Sequence, residues 1–538
     1  MKKSSNRKGS RGNVSKGKDN VGKGSGNISW EKDSIERDSV RNIGKEKNSV
    51  RKGSSKNAGG EKNDIKRDSS KDIAKEKEII REVTSKKNSG RVWPWKRHLS
   101  QTQFIAYGFF CVIIVGALLL NLPGASRDGM KVGFLDALFT AASATCVTGL
   151  VVRDTWSQWS LFGQVVLLIL IQIGGLGFIT IGVFLSIVLR RKIGLKARGL
   201  LQESVNTLQI GGVVKLAKKI IMGTFLFEGA GAVILSARFI PEYGTLKGIF
   251  YGIFHSISAF CNAGFDLMGR NQPYGSFVQY YDDILVNAVL MALIVIGGIG
   301  FIVWEDLMKH KLKWKKYMLH TKIVLLATAV LIFGGAFLFY LCERNYLLKD
   351  MTVQGKILSS LFASVTARTA GFNTVDTGAM QDGSRFLTII LMFIGGSPGS
   401  TAGGIKTTSV VIMFLGVLSS IQRTNGFQIF GRRLEDEAVK RASAIFTINL
   451  FLALSASLAV MIAQPSLIMS DVLFETFSAI GTVGMTTGIT RDLTSFSRIV
   501  IILLMYCGRI GSLSFALAFT QQKKNPPVKL PLGQIAVG

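Results

Sequence analysis

Four short segments of this chain combine small and hydroxyl residues with one glycine, a pattern suited to binding a cation through backbone oxygens. The glycines are 115, 107 and 113 residues apart, and a phenylalanine precedes each by nine or ten residues. A repeat this long predicts four copies of one structural unit around a common axis. The segments are LFTAASATCVTGL with Gly149, IFHSISAFCNAGF with Gly264, LFASVTARTAGFNT with Gly371 and LFETFSAIGTVGMTTG with Gly484.

The chemistry that such segments can perform is the dehydration of a cation. An ion crossing a bilayer exchanges its water shell for protein oxygens, and backbone carbonyls from several loops can supply them. Glycine permits the left-handed or extended backbone that these loops need. A short helix before each loop directs its negative carboxyl-terminal end toward the ion. One such glycine would be typical of a helix cap, whereas four at matching positions indicate a pore.

The candidate ion-binding residues are the four loop residues at or next to each glycine. The third segment is one residue shorter on its helix side, so we expect imperfect fourfold symmetry there. The candidates are Cys146, Val147, Thr148 and Gly149; Cys261, Asn262, Ala263 and Gly264; Thr369, Ala370, Gly371 and Phe372; and Thr482, Val483, Gly484 and Met485.

A second glycine pattern follows each segment, as IGGLGF, IGGIGF, IGGSPGS and CGRIGS. Close helix packing accounts for it in the first two copies. In the third copy, five glycines and a proline within 395–406 predict a broken helix and a flexible loop. The spacing there resembles a phosphate-binding loop, but Ile405 interrupts the motif and no strand precedes it, so we exclude nucleotide binding. Candidate gating residues are Gly395, Gly396, Ser397, Gly399, Gly403, Gly404, Lys406 and Arg509.

Arg509 replaces an apolar residue of this pattern in the fourth copy. A cation at that depth costs on the order of 3 kcal/mol, so we expect it to face the interior of the bundle or water. Two roles remain open for it, namely a positive barrier in the ion path and a structural ion pair. Glu228, which lies within another apolar run, is a conceivable partner.

The elements that must position these residues are membrane helices. Of the 538 residues 48% are hydrophobic, although the net charge is +31. Apolar runs flank each segment in pairs, at about 104–122 and 162–189, 218–240 and 283–304, 321–342 and 386–421, and 442–463 and 496–520. Most are long enough to cross a bilayer, whereas the segments between them are too short or too polar. The fold class predicted is therefore an all-α integral membrane protein of four tandem helix–pore loop–helix repeats, with eight spans and four re-entrant segments around a pseudo-fourfold pore.

Charge divides the chain into a tail and four repeats. The first 100 residues hold 28 Lys and Arg against 13 Asp and Glu, which predicts a disordered cytoplasmic tail at 1–98, with lipid contact as an alternative role. The linkers between copies are basic, so both termini should be cytoplasmic. The five cysteines show no disulfide or metal spacing. The predicted boundaries are 99–199 for repeat one, 200–309 for repeat two, 310–431 for repeat three with the gating loop, and 432–538 for repeat four.

The segments TCVTGL, FCNAGF, TARTAGFNT and GTVGMTTG resemble the four selectivity filters of the Trk/Ktr/HKT cation transporter superfamily, and the eight spans resemble its Ktr membrane subunits. The resemblance covers about residues 100–538. It implies that the filter glycines are Gly149, Gly264, Gly371 and Gly484, and that a complete set of glycines goes with potassium selectivity. It also implies that the 395–406 loop is an intramembrane gate and that Arg509 faces the pore beneath the filter. A homodimer and a cytosolic ring of nucleotide-binding regulatory subunits are further implications.

The function expected is potassium uptake across the plasma membrane, with no covalent cofactor and with sodium as a candidate activating or coupled ion. Nothing in the sequence pairs a nucleophile with a base, so we expect no enzyme activity. The alternatives are a sodium-preferring or non-selective transporter of the same fold, and a non-conducting sensor or scaffold that uses the basic tail. Without residues 1–90 a transporter would keep its flux, whereas a scaffold would lose its activity. Besides lipid and the regulatory ring we expect no nucleic-acid partner, because aromatic residues do not interleave with the basic ones.

Overall fold

The computed structural model describes residues 100–189, 198–202, 212–270, 272–311, 313–422 and 428–519, together with Gly194. The predicted tail at 1–98 lies outside this range. Regular structure within it is helical except for one hairpin of two short strands, β1 (Gln428–Ile429) and β2 (Arg432–Arg433). The coarse prediction of a mainly helical fold is therefore confirmed.

The helices follow one order in each of four successive copies: a long helix, a shorter one, and then a third that is broken in two. Copy one contains α1 (Gln101–Leu120), α2 (Phe134–Thr145), the single turn α3 (Thr155–Gln158), α4 (Leu161–Leu176) and α5 (Phe178–Val188). Copy two contains α6 (Val213–Tyr243), α7 (Thr245–Phe260), α8 (Ile284–Gly298) and α9 (Phe301–His310). Copy three contains α10 (Leu319–Glu343), α11 (Val353–Thr366), α12 (Asp382–Phe393) and α13 (Thr407–Gln422). Copy four contains α14 (Asp436–Ala463), α15 (Met469–Gly481), α16 (Ser495–Ile510) and α17 (Ser512–Phe519).

The first helix of each copy is long and apolar enough to cross a membrane. The stretches that qualify are Thr102–Leu120, Val213–Tyr243, Leu319–Glu343 and Glu437–Ala463. Their outward faces remain apolar: on α10, Leu326, Val330, Phe333 and Phe337 recur at helical spacing and are all exposed. An apolar face of this kind suits contact with lipid tails, so the described part of the chain is that of a membrane protein.

The third helix of each copy is not the continuous span that the hydropathy of 162–189, 283–304 and 496–520 predicts. It breaks at Gly177, Gly300 and Gly511, whose φ angles are 79°, 97° and 92°. In copy two the halves α8 and α9 meet at 98°, a bend that fits either a broken span or a re-entrant loop. Close packing is present too, because a Cβ atom on Gly174 or Gly297 would collide with a backbone carbonyl of the preceding short helix. The close packing predicted for these patterns is therefore present at their first glycine. The break at their last glycine was not predicted.

The short helices α2, α7, α11 and α15 form the centre of the molecule. The repeated phenylalanine of each one is fully buried, and most of their other side chains are also shielded. Burial of one aromatic side chain stabilises a fold by roughly 1.5–3 kcal/mol, so the four rings anchor these helices firmly. The four phenylalanines are Phe139, Phe254, Phe362 and Phe474.

Polar contacts join neighbouring copies at the amino-terminal ends of these short helices. The Arg498 guanidinium of copy four donates to Asp136 on α2 at 2.6 Å. Arg385 of copy three donates to Asp471 on α15 at 3.2 Å. The Thr352 hydroxyl, which caps α11, donates to Asp282 of copy two at 2.9 Å. Each contact connects one copy to the next, and the first of them closes the circle from copy four to copy one.

Candidate functional site

The four segment glycines meet in one ring, in which each contacts the next copy. A Cβ atom on Gly149 would lie 2.6 Å from the carbonyl oxygen of Ala263, and one on Gly264 would lie 2.7 Å from that of Ala370. A Cβ on Gly371 would lie 2.5 Å from the carbonyl oxygen of Val483. On Gly484 it would overlap the carbonyl oxygen of Thr148, which returns the circle to copy one. We call Gly149, Gly264, Gly371 and Gly484 the glycine ring; any side chain there would fill the space between adjacent loops.

The backbone of the ring is left-handed at every copy. The four glycines have φ angles of 95°, 69°, 84° and 92° in chain order. Two residues before each glycine lies another positive φ, at Val147 (56°), Asn262 (57°), Thr369 (75°) and Thr482 (51°). Such angles are rare for residues with a side chain and cost of order 1–3 kcal/mol each. Their recurrence at four matching positions shows that the packing of the ring imposes one backbone path on all four loops.

A hydroxyl side chain from each short helix holds the loop beside it. Ser143 accepts the N–H of Gly149 at 3.0 Å, and Ser478 accepts that of Gly484 at the same distance. In copies two and three the hydroxyl donates instead to the carbonyl that follows the glycine. Ser258 donates to Phe265 and Thr366 to Phe372, both at 2.7 Å. These residues were not predicted from the sequence, although a hydroxyl residue recurs five or six residues before each glycine.

The third loop differs from the others as its sequence predicts. The backbone N–H before the glycine bonds to a carbonyl five residues earlier in copies one, two and four. In copy three, Ala370 bonds to Thr366, only four residues earlier. The irregularity expected in this segment is therefore present.

The candidate ion-binding residues differ in whether their carbonyls contact the glycine ring. The residues preceding the glycines, namely Thr148, Ala263, Ala370 and Val483, provide the ring contacts through their carbonyls. Phe372 does not share this arrangement, because its ring packs on Phe277 with centroids 5.5 Å apart and its carbonyl accepts the hydroxyl of Thr366.

The remaining candidates act as neighbours of the ring. Cys146, Cys261 and Met485 are buried. A Cβ on Gly175 would lie 2.6 Å from the Cys261 sulfur, so that side chain packs behind the loop.

Two buried polar residues of the short helices hold the stretches of chain that follow the ring glycines. The His255 ring receives the N–H of Leu267 at its Nε2 atom at 3.0 Å, while its Nδ1 atom lies 2.7 Å from the carbonyl of Tyr251. Glu475 accepts the hydroxyls of Thr486, at 2.7 Å, and Thr490. Both lie nine residues before their glycine, so they form a matched pair in copies two and four.

The gating candidates of copy three form a loop that is bonded to copy two. Ser397 and Thr401 donate their N–H groups to the carbonyls of Gly298 and Gly297, at 3.0 and 3.2 Å. Phe301 returns a bond from its N–H to Gly399 at 2.7 Å. The loop therefore fills the break between α8 and α9, and the broken helix predicted in this copy is confirmed.

The same loop also approaches the glycine-ring segment of copy four. A Cβ on Gly404 would lie 2.9 Å from the carbonyl of Gly481, and one on Gly403 would meet the hydroxyl of Thr482. Lys406 donates to the carbonyls of Ala402 and Gly403 at 2.8 and 3.3 Å, so its ammonium group caps its own loop. The loop thus lies directly against residues that precede the ring.

Arg509 connects this loop to copy one. Its Nη1 atom donates to the carbonyl of Thr401, and its Nη2 atom donates to those of Gly174 and Gly175 at the end of α4. The suggested ion pair with Glu228 is wrong, because that carboxylate receives Gln172 at 3.2 Å instead. Carbonyl oxygens carry partial negative charge and are freed where a helix breaks, so the broken helices supply the acceptors that this cation requires.

One cavity lies on each side of the glycine ring. The inner cavity, of about 420 Å³, is lined by Gly175, Ser400, Lys406, Asn449 and Arg509 among others. The outer cavity, of about 250 Å³, is lined by all four ring glycines. We call the latter the outer vestibule.

Charged side chains also line the outer vestibule, namely Asp154, Asp266, Asp376 and Arg491. Burial raises the pKa of Asp266 to about 7; the N–H of Met268 opposes the increase and the charge of Asp154 adds to it. In the described part of the chain no group of His, Cys, Asp and Glu residues could hold a metal ion as a cluster.

Comparison with known proteins relates the chain to cation transport proteins. The TrkH family, described as "Cation transport protein", matches residues 75–526. The chain is 40% identical to the potassium/sodium uptake protein NtpJ of Enterococcus hirae, with 82% of this chain and 98% of that protein covered. It is also 40% identical to the Ktr system potassium uptake protein B of Bacillus subtilis, with 83% and 99% covered. The crystal structure of the potassium transporter TrkH from Vibrio parahaemolyticus matches the fold with a TM-score of 0.62 at 18% identity, over 79% of this chain and 86% of that one.

Proposed function

Because the chain belongs to the TrkH family of cation transport proteins, we propose that it takes up potassium across the plasma membrane through the glycine ring. The observation that supports this proposal most is the closure of the ring, in which the carbonyl before each glycine contacts the glycine of the neighbouring copy. Carbonyl dipoles from four sides can replace the water of a potassium ion. The relatives are named as ion-uptake proteins, a class that does not catalyse chemical reactions.

We propose that the chain crosses the membrane eight times and that α2, α7, α11 and α15 re-enter it from outside. The first helix of each copy makes one crossing, and each broken third helix makes another. Irregular backbone at membrane depth is tolerated where protein surrounds it, and the breaks lie beside the ring and the gating loop. The basic linkers between copies then face the cytoplasm together with both termini.

We propose that the loop at 395–406 and Arg509 form the gate beneath the ring. Arg509 holds the loop against copy one through the carbonyls of Thr401 and Gly174, and its positive charge opposes the passage of a cation. Release of these bonds would allow the loop to move away from the segment of copy four, which opens the path.

Regulation belongs to partner proteins in this proposal. Relatives named as parts of a Ktr system indicate a transporter of more than one component. We propose that a cytosolic ring of nucleotide-binding subunits docks on the inner face of a homodimer of this chain, and that sodium acts as an activating or coupled ion.

A second candidate function is sodium transport on the same fold. One relative is named as a potassium/sodium uptake protein, and this name supports the alternative. Loop flexibility and the field of the carbonyls both contribute to ion selectivity, so the ring alone permits either ion.

The experiment that tests the proposal is unidirectional potassium and sodium flux into proteoliposomes that contain the purified chain. Gly149→Ser should lower the potassium-to-sodium ratio, because its side chain would meet the carbonyl of Ala263. Gly334→Ser is the matched control, since that glycine lies on an exposed face of α10 with open space around it. Equal ratios in both variants would contradict the filter assignment. Absence of flux with and without a cytosolic ring subunit would contradict the transport proposal.

A further inference from the structure

The loop of copy two that follows Gly264 lines the outer vestibule and contacts all three other copies. We call residues 272–277 of this loop the outer strap. Tyr274 donates its N–H to the Asp154 carboxylate at 3.0 Å and its hydroxyl to the carbonyl of Val152 at 3.2 Å, both in copy one. On the copy-three side, Phe277 donates its N–H to the carbonyl of Asn373 at 2.8 Å. The N–H of Asn373 donates in turn to the Ser276 hydroxyl at 3.2 Å.

The outer strap contacts copy four through a cation–π interaction. The Arg491 guanidinium lies 4.5 Å from the centre of the Tyr274 ring. Its Nε atom also donates to the carbonyl of Gly488 at 3.2 Å. In the described part of the chain no carboxylate oxygen lies within 4.0 Å of this guanidinium, so its charge is not neutralised by an ion pair.

The backbone of the strap holds its aromatic ring in a constrained position. Tyr274 has a φ angle of 62° and Ser276 one of 46°, both in the left-handed region that residues with side chains rarely adopt. The hydrogen bonds from copies one and three keep the strap in this conformation. Tyr274 therefore presents a fixed ring face on which Arg491 rests.

Charges of both signs line the outer vestibule. Asp154, Asp266 and Asp376 line the vestibule together with Arg491, and all four lie in front of the glycine ring. The energy of an ion in an electrostatic potential scales with its charge, so carboxylates alone would attract a divalent ion twice as strongly as potassium. A guanidinium in the same space opposes the divalent ion more than it opposes potassium.

We propose that Arg491, held in place by the Tyr274 ring of the outer strap, is a specificity-determining residue that weakens the binding of divalent cations in the outer vestibule. The proposal deepens the proposed function and rests on it, because it concerns the entrance to the same ring. It assigns the strap a role that the ring glycines do not provide: rejection of ions by charge before they reach the carbonyls.

The test is a titration of external calcium or magnesium against potassium flux into proteoliposomes. Arg491→Gln should lower the half-blocking concentration of the divalent ion by about three- to tenfold at low ionic strength, while flux without divalent ions is retained. Arg491→Lys keeps the charge and should stay within about twofold of wild type. Tyr274→Leu removes the ring that positions the guanidinium and should give an intermediate decrease. Higher monovalent salt should shrink all these differences, because salt screens exposed charges.

Arg127→Gln is the matched control, since Arg127 lies over Trp156 at 4.1 Å in an equivalent surface pair that does not line the vestibule. It should leave the half-blocking concentration unchanged. The proposal is overturned if Arg491→Gln transports potassium normally and has the divalent sensitivity of wild type, or if Arg127→Gln shifts it equally. If Arg491→Gln does not fold, an unchanged sensitivity in Tyr274→Leu overturns the role of the strap. Failure of the proposed transport function would give a different result, because wild type would then carry no potassium even without divalent ions.

Discussion

Ser143 and Ser478 hold the backbone of the glycine ring through their hydroxyls, although neither forms part of the ring itself. Each accepts the N–H of its glycine at 3.0 Å and is almost completely buried. A serine at this position can also donate, as Ser258 does to the carbonyl of Phe265. One residue type therefore supports two slightly different loop conformations in copies whose sequences diverge.

Ser143→Ala should lower the potassium-to-sodium flux ratio and destabilise the protein modestly. The substitution leaves the buried N–H of Gly149 without its acceptor, which costs about 1–3 kcal/mol and loosens the loop. Flux ratios and the thermal midpoint in detergent measure the two effects. Ser420→Ala serves as control, because the Ser420 hydroxyl donates to the carbonyl of Gly416 on the exposed part of its own helix. A flux ratio that stays at the wild-type value in Ser143→Ala would show that the ring holds its shape without this bond.

The residues of the ring were predictable from the sequence only in part. Four glycines at matched positions are visible in the sequence because each one marks a backbone that other residues avoid. The left-handed angles at Val147 and Thr482 were not predictable, since valine and threonine normally disfavour that conformation. Contact between neighbouring loops imposes those angles, and such contact exists only once all four copies assemble.

At the scale of helices, the breaks in the third helix of each copy determine what lies under the ring. Hydropathy cannot detect a break at Gly177 or Gly300, because apolar residues continue on both sides of it. Copy three is the exception, since its cluster of glycines and a proline indicates a loop directly. The breaks free backbone carbonyls, and Arg509 binds those of Thr401, Gly174 and Gly175. Among the described residues this partly buried cation has no carboxylate partner, and backbone carbonyls bind it instead.

Arg509→Ala should increase potassium flux and make it less dependent on the regulatory partner. Removal of the guanidinium breaks the link between the 395–406 loop and copy one, and it removes a positive charge from the inner cavity. Arg509→Lys should have an intermediate effect, because an ammonium group cannot span carbonyls on two copies as a planar guanidinium does. Initial flux rates per folded protein, with and without the ring subunit, measure the change.

Arg441→Ala is the control for this prediction. Arg441 lines the same inner cavity, but it forms an exposed pair with Glu437 on α14 at 2.7 Å. Its removal should change flux little. Equal flux in wild type and Arg509→Ala at equal protein abundance would contradict the gating role.

At the scale of the whole molecule, one chain must close a circle that a symmetric oligomer would close with four. The first and last copies are far apart in sequence, yet the ring requires Gly484 to lie against Thr148. The contact between Arg498 and Asp136 joins these copies across 362 positions of the chain. Asp136 also accepts Arg153 of its own copy at 3.0 Å, so one carboxylate receives two guanidinium groups. This closure was not predicted, although both residues recur in other copies: Asp136 and Asp471 each lie 13 residues before a ring glycine, and Arg498 and Arg385 each lie 10 residues before Gly508 and Gly395. The sequence repeats the two residues but does not show that the arginine of one copy binds the aspartate of the next.

Arg498→Gln should destabilise the closed circle more than the loss of an ordinary surface pair does. The Arg498 side chain is 19% exposed and that of Asp136 is 10% exposed, so the lost bond should cost about 1–3 kcal/mol. The thermal midpoint in detergent should fall accordingly, and the flux ratio should fall with it because the Gly484–Thr148 contact depends on the same closure.

The control is Arg441→Gln, which breaks a pair whose side chains are 69% and 68% exposed, so its cost should stay below about 1 kcal/mol. The double variant of Arg498→Gln and Asp136→Asn measures the interaction energy between the two residues. It should lose less stability than the sum of the two single changes, because either single change already breaks the pair. Strict additivity would show that the two residues act independently and that other contacts close the circle.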